Sequence, residues 1–280
     1  MTERLANINA RIAGIRQVGA VVNAMRGIAG ARAQAARIQL AAVDRYAATI
    51  AAAIGQALLM APMPTSNAPR ASRMAVVVFC AEQGFAGAFS EHVLGALPGM
   101  SDVTEILLVG TRGRAAAAER GMRVGWTAAM PSHSAGIPKL ADRIVEAVYA
   151  RIGAGSIDSL AAVFSRWQPG YGVRVERGIL FPLDLAGFPH PRDGNKPLAN
   201  LPPEILLRDL TADYVHAQLC KAALHAFSAE NEARMAVMAG AHGKIDQKLA
   251  ALKLVQCVLR QEEITAEIAE LSAGEIANET

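Results

Sequence analysis

Leu5, Ile8, Ile12, Ile15, Val22 and Met25 recur at spacings of three and four residues or their sum. That is the period of one face of an α-helix, close to a heptad seam. The far end of the chain repeats the signal in Leu206, Leu210, Ala217 and Leu224, then Ile245, Leu249, Leu252 and Leu259. Between these segments the pattern changes. "MAVVVFC" (74–80) is a continuous apolar run, as expected of a strand covered on both faces, and "VTEILLVG" (103–110) repeats the strand. "MRVGW", "LAAVFSRW" and "GVRVERGILF" read as further strands, with helices through Leu97, over "RGRAAAAERG" and near Ile137–Ile152. Alternating strands and helices predict an α/β layer domain.

Proline sharpens this division. Nine of the thirteen prolines fall in "APMPTSNAP" after residue 60 and in "FPLDLAGFPHPRDGNKPLANLPP" from Phe181, and none lies in 1–61 or 204–280. A helix interior excludes proline at a cost of about 3 kcal/mol. The predicted architecture is therefore a helix over 1–61, a central Rossmann-like α/β domain over 70–190 and a helix over 204–275. At 1.5 Å per residue the first helix would span roughly 80–90 Å and the last roughly 100 Å. Rods of that length cannot bury their stripes in a small globule. The central domain returns the chain, so the expectation is a long antiparallel coiled coil of the two ends, with pairing between chains as the alternative. Glycines 14, 19, 27 and 30 each cost about 1 kcal/mol against alanine in a helix, and predict close helix–helix approach or a slim shaft inside a partner.

Composition narrows the function classes. The chain is 52% hydrophobic but only 5% aromatic, an alanine-rich and helix-favouring balance. A net charge of +3 over 280 residues argues against nucleic acid as the main partner. Cys80, Cys220 and Cys257 are odd in number and far apart, giving neither a disulfide framework nor metal spacing. "MTERLANINARIAG" lacks a secretory apolar core, and "AATIAAAIGQALLMA" is too short to span a membrane.

Candidate chemistry is sparse. Gly84 and Gly87 supply only part of a dinucleotide-binding G-x-G-x-x-G turn after the first strand. "GAHGKI" fails as a Walker motif because Ile245 stands where Ser or Thr is required. The six histidines form no H-E-x-x-H cluster, and no G-x-S-x-G elbow occurs. Arg112 and Arg114 after the second strand are anion-binding candidates outweighed by a solvated surface. No catalytic, cofactor or metal site is expected. A nucleotide-binding α/β enzyme and a coiled-coil scaffold with a non-catalytic α/β domain stand as alternative functions.

The stretch "VLRQEEITAEIAELSAG" (258–274) sorts Ile264, Ile268 and Leu271 to one side of a helix, with Arg260 one turn ahead of Ile264 and the amide of Gln261 beside it. It also carries a resemblance. "LKLVQCVLRQEEITAEIAELSAG" is similar to the Leu-x-Leu-x-Tyr-Asn-x-x-Arg-Gln-x-x-Ile-Thr-x-Glu-Leu-x-Glu-Ile-x-x-Gly signature of the gamma subunits of F-type ATP synthases. "AENEARMAVM" resembles their Ser-Glu-x-x-Ala-Arg-Met-x-Ala-Met, and "NAMRGIAGAR" their N-terminal helix, where an Ala-Met pair precedes a basic residue. Matches keep their spacing without gaps from Ala233 to Gly274, and "VVVFCAEQGFAGAF" is placed like the family's first strand and Gly-rich turn. Gln256-Cys257 replaces the usual Tyr-Asn, "GAHGK" the usual Ala-Thr-Asp-Asn, and "AEQGFAGAF" lacks Asp-Arg-Gly-Leu-Cys-Gly-Gly, which marks a divergent member.

The resemblance implies a non-catalytic rotor of the central stalk that couples ion flow through a membrane ring to ATP synthesis or hydrolysis. The implied partners are the alpha and beta subunits, an epsilon subunit and the membrane c-ring. The implied location is peripheral, on the cytoplasmic face of the bacterial inner membrane. Carried onto this chain, Arg260 and Gln261 match the family's Arg-Gln pair that meets a polar beta-subunit loop. Ile264, Thr265, Ile268 and Leu271 would turn against an apolar collar, and Met25 and Arg26 would face the beta subunits. By residue chemistry alone, Arg260 pairing with Glu263 and Met25 in a coiled-coil core remain open.

Overall fold

In the computed structural model of the chain, residues 2–60, 73–97, 103–189 and 198–278 are described. The proline-rich stretch 61–69 lies outside them, as do residues 190–197 of the second stretch. Two long helices bracket the chain, α1 (Thr2–Leu58) and α5 (Pro203–Asn278). Between them come β1 (Met74–Phe79), α2 (Phe89–Gly95), β2 (Val103–Val109), α3 (Thr111–Glu119), β3 (Val124–Ala128), α4 (Ile137–Gly153), β4 (Ser159–Gln168) and β5 (Gly172–Phe181). The residues group into two compact units, 29–234 and 1–28 with 235–280.

The first unit is built on a five-stranded sheet of order β3-β2-β1-β4-β5, parallel except for the β4–β5 pair. Successive residues of a strand point to opposite faces, and β1 buries both. Ala75, Val77 and Phe79 pack with Ile137, Leu140 and Ile144 of α4 and with Leu219, Ala223 and Phe227 of α5. Val76, Val78 and Cys80 pack with Val93 and Leu94 of α2 and Ala117 of α3. Helices on both faces explain why β1 and the second half of β2 (Ile106–Val109) read as unbroken apolar runs, whereas the edge strand β5 alternates. Pro138 in the first turn of α4 supplies a pre-set φ where no amide is needed. Within this unit α1 and α5 run antiparallel, with ion pairs Arg37–Glu232 and Asp44–Lys221.

Two glycines after β2 are structural requirements. Gly110 has φ +102°, and a Cβ there would collide with the Cys80 carbonyl, while one at Gly113 would collide with the Cys80 side chain. The β2–α3 connection therefore lies directly on the end of β1.

The second unit is a helix pair. Asn9 accepts a hydrogen bond from Gln256, and Gly19 faces Ile245, so position rises on one helix as it falls on the other. Over 3–22 of α1 the least exposed positions are Leu5, Ile8, Ile12, Ile15, Gly19 and Val22, and over 243–265 of α5 they are Ile245, Leu249, Leu252, Gln256, Leu259 and Glu263. Both runs alternate spacings of three and four, the coiled-coil period. Close approach holds at Gly19, where a Cβ would lie 3.3 Å from Ile245 Cγ2, and not at Gly14 or Gly27, which have nothing within 4 Å.

Candidate functional site

Two arrangements concentrate functional chemistry, one in each unit. The first is the far end of α5. A helix advances about 100° per residue, so a residue two positions on points roughly 200° away. Leu254, Val258, Gln261, Thr265 and Ile268 each follow a seam position by two and so form a second line on the opposite face. That line is open: Leu254 is 70% exposed, Val258 54% and Ile268 59%. Ile264 and Leu271 flank it at 56% and 73%. Counting along both helices from the Asn9–Gln256 pair brings Thr2 level with Glu263, and α5 continues through Asn278.

The expected site residues fall on or beside this face. Gln261 and Thr265 are exposed within the line, and the Thr265 hydroxyl donates to the Gln261 carbonyl at 2.8 Å. Arg260 is exposed and has no hydrogen bond or ion pair among the described residues. The Arg260–Glu263 pair that residue chemistry leaves open is not formed, because Glu263 turns toward the seam, where its Oε1 is buried without a partner among the described residues. On α1, Met25 is half-buried at the seam margin and joins the exposed Val18, Val21 and Ile28 at spacings of three, four and three. Arg26 is exposed and donates to the Asn23 side chain at 3.1 Å. Leu254 and Val258 were not among the expected residues. Their signal was the same three-and-four spacing continued backwards, masked by the competing seam in "LKLVQCVL".

The second arrangement lies where β1 ends, the position at which an α/β fold of this kind would bind a phosphate. Two of the chain's own carboxylates stand at this turn, beside an open cavity lined by Gln83, Gly84, Gly87 and Arg112. The Glu82 carboxylate accepts the Thr111 amide at 3.0 Å, the Thr111 hydroxyl at 3.1 Å and the Met130 amide at 2.9 Å. It thereby caps the start of α3 with a negative charge, where the helix dipole favours one. The Glu230 carboxylate of α5 accepts the Glu82 and Gln83 amides, each at 3.1 Å, and pairs with Arg234 one turn on. Arg234 donates to the carbonyls of Gly84 at 3.1 Å and Gln83 at 3.4 Å and to the Asn231 side chain at 2.9 Å. Glu230 is 3% exposed and Arg234 4%. From α1, Arg32 donates to the Gln83 side chain at 3.1 Å. Both carboxylates at the end of β1 are thus engaged with the chain's own amides, and Glu230 is balanced by the Arg234 cation. Within "AENEARMAVM" Glu230 and Arg234 are buried, which nothing in their spacing signals.

The remaining candidates have structural partners. His216 approaches Asp142 at 3.0 Å. His225 is buried and stacks on Phe164, with its pKa lowered from 6.5 to about 4 by burial first and then by the Arg166 and Lys221 cations. Burial raises the Cys80 and Cys220 thiols to about 12, while Cys257 is exposed. Arg112 and Arg114 lie exposed in the first turn of α3. Among the described residues no group of His, Cys, Asp and Glu is arranged to hold a metal, and no helix is long and apolar enough to cross a membrane.

Comparison with known proteins agrees with this architecture. A family model described as ATP synthase matches residues 4–277. The ATP synthase gamma chain of Clavibacter michiganensis subsp. michiganensis is 26% identical over 271 residues, covering 91% of each chain. That of Rhodospirillum rubrum is 24% identical over 96% of this chain and 98% of its own. Among solved structures, the rotor of the Euglena gracilis mitochondrial ATP synthase superposes with a TM-score of 0.63 at 12% identity, covering 94% of this chain and 100% of that one. A chain of the same enzyme in another rotational state gives 0.67 at 15% identity, covering 99% and 95%. The structural likeness establishes the fold, long terminal helices around a five-stranded α/β sheet, and the family match runs through every element of it. The chain belongs to the ATP synthase gamma-chain family.

Proposed function

We propose that this chain turns as the central-stalk rotor of an F-type ATP synthase, with the outer face of α5 as its bearing inside the alpha/beta ring. As a gamma subunit it is a non-catalytic member of the ATPase complex and couples ion flow to ATP synthesis or hydrolysis. The observation that carries the bearing is the doubled seam: the helix that pairs with α1 along one side presents a second three-and-four line, Leu254 to Ile268, on the other. An amphipathic helix needs one apolar stripe to pack on its partner. A second stripe is explained by a second surface.

The chemistry suits a turning contact. Apolar burial is non-directional, so Ile264, Ile268 and Leu271 can slide through many angles without one deep minimum. Arg260 supplies the opposite property, a planar fork able to hold a carboxylate bidentately. Such a charged hydrogen bond contributes about 1.5–3 kcal/mol, enough to favour one angle without locking the rotor. Gln261 and Thr265 extend this polar catch toward a beta-subunit loop. Met25, whose flexible thioether adapts to differing surfaces, and Arg26 meet the beta subunits lower on the shaft. Residues 1–61 and 204–275 form the shaft, and residues 70–190 form the lobe that contacts the epsilon subunit and the membrane c-ring. The subunit is peripheral, on the cytoplasmic face of a bacterial inner membrane.

The test is Arg260→Ala in the assembled complex. The expected outcome is weaker coupling of ATP turnover to ion transport with normal folding of the chain, since Arg260 has no intramolecular partner among the described residues. Unchanged coupling and unchanged assembly would refute the catch. A coiled-coil scaffold predicts instead a stable self-assembly lacking alpha and beta subunits.

A further inference from the structure

We propose that the Glu82–Gly84 turn, held by Glu230 and Arg234, is a keyed joint that transmits torque between α5 and the sheet. The inference rests on the rotor reading and adds a mechanical role that the bearing residues do not have.

The argument begins with what the rest of that interface lacks. Elsewhere α5 meets the sheet through apolar packing and one ring stack, Leu219, Ala222, Ala223, Ala226, Phe227 and Ala229 with His225 on Phe164, and no hydrogen bond to a strand is found among the described residues. Such a surface resists separation but offers little resistance to roll or slide, because apolar attraction has no preferred direction. Directional contacts gather instead on one three-residue turn. Glu230 receives two of its amides and Arg234 reaches two of its carbonyls. The same turn is tied through the Glu82 side chain to the connections after β2 and β3, and through Gln83 to α1. Any rotation of α5 against the sheet must break several charge-assisted hydrogen bonds together, and these are the strong and geometrically demanding ones.

Stability alone gives a weak reason for such a cluster. A buried ion pair rarely outperforms a well-packed apolar replacement. Ligand binding gives none for Glu230 and Arg234, because their polar atoms are spent on each other and on the turn's own backbone. Holding one orientation under load is the property that this geometry supplies and an apolar patch of the same size would not.

The experiment measures ions translocated per ATP hydrolysed by the membrane-bound complex, comparing wild type with the paired variant Glu230→Met/Arg234→Met. Leu219→Ala, a cavity variant in the same helix, serves as a control for lost stability. The joint predicts that the ratio falls roughly threefold or more in the paired variant, within the range by which network mutations alter coupling, and stays at the wild-type value in Leu219→Ala. Arg234→Lys, which keeps the charge and loses the fork, gives an intermediate ratio and replaces the paired variant if that one does not assemble. Equal loss in the joint and cavity variants, or no loss in either, overturns the proposal. A wild-type chain that assembles with alpha and beta subunits yet supports no translocation contradicts the rotor reading itself.

Discussion

Replacing Ile264, Ile268 and Leu271 together by serine separates a surface made for a partner from one made for the chain's own core. Full burial of such a side chain contributes about 1.5–3 kcal/mol. These three remain 56%, 59% and 73% exposed, so over half of that quantity is still available to a partner. Each can therefore contribute roughly 1–2 kcal/mol on docking, about 3–5 kcal/mol for the three as an upper bound, since ordering and desolvation take a share. Within the isolated chain the same substitutions touch little, and exposed positions usually shift stability by no more than about 0.5 kcal/mol. The assay has two readings of the same full-length variant: a thermal melt followed by circular dichroism, and co-purification with alpha and beta subunits. The expected result is an unchanged melt with assembly weakened by orders of magnitude. A melt displaced by many degrees with normal assembly would show that the stripe packs inside the chain, and the bearing would be wrong.

Two further outcomes follow from buried groups. His225 is held neutral in the folded chain, with a pKa of about 4 against an ordinary 6.5. Between those values the unfolded chain takes up a proton that the folded chain does not, so stability is complete above about pH 6.5 and declines as pH falls toward 4, by up to about 3 kcal/mol. His225→Phe should flatten that dependence in urea midpoints measured at pH 7 and pH 5, and parallel losses in both proteins would refute the assignment. Thiol chemistry should divide the cysteines: Cys257 reacts with a maleimide in the native chain, whereas Cys80 and Cys220, buried and pushed up to about 12, react only on unfolding. Equal native reactivity of all three would contradict the packing described.

The sheet was legible in the sequence because burial on both faces leaves β1 with no polar position and β2 with none after Glu105. The helix pair was legible for the related reason that Ile8, Ile12 and Ile15 keep one period over many turns. The face of α5 on which a residue lies was less so. "LKLVQCVLRQ" contains two interleaved seams, and only the pairing of Asn9 with Gln256 decides which one α1 covers. Glu263 illustrates the consequence: spacing alone allowed it to pair with Arg260, but the register turns it toward the helix partner. The joint at Glu82 was invisible for a different reason. Glu82 and Glu230 are separated by nearly the whole sheet, and a lone charged residue in a helix or turn reads as solvated surface until its partner is brought beside it. The incomplete glycine pattern after β1 could not reveal which carboxylates stand at that turn.

Rotation itself is the central claim, and a probe on this chain tests it most directly. Tyr171, at the β4–β5 turn, is 72% exposed, and Tyr171→Cys in a Cys257→Ser background places one accessible thiol on the lobe of an immobilised complex. The account predicts that a bead attached there turns in one direction while ATP is hydrolysed. A bead that stays at one angle while the same complex consumes ATP would contradict it.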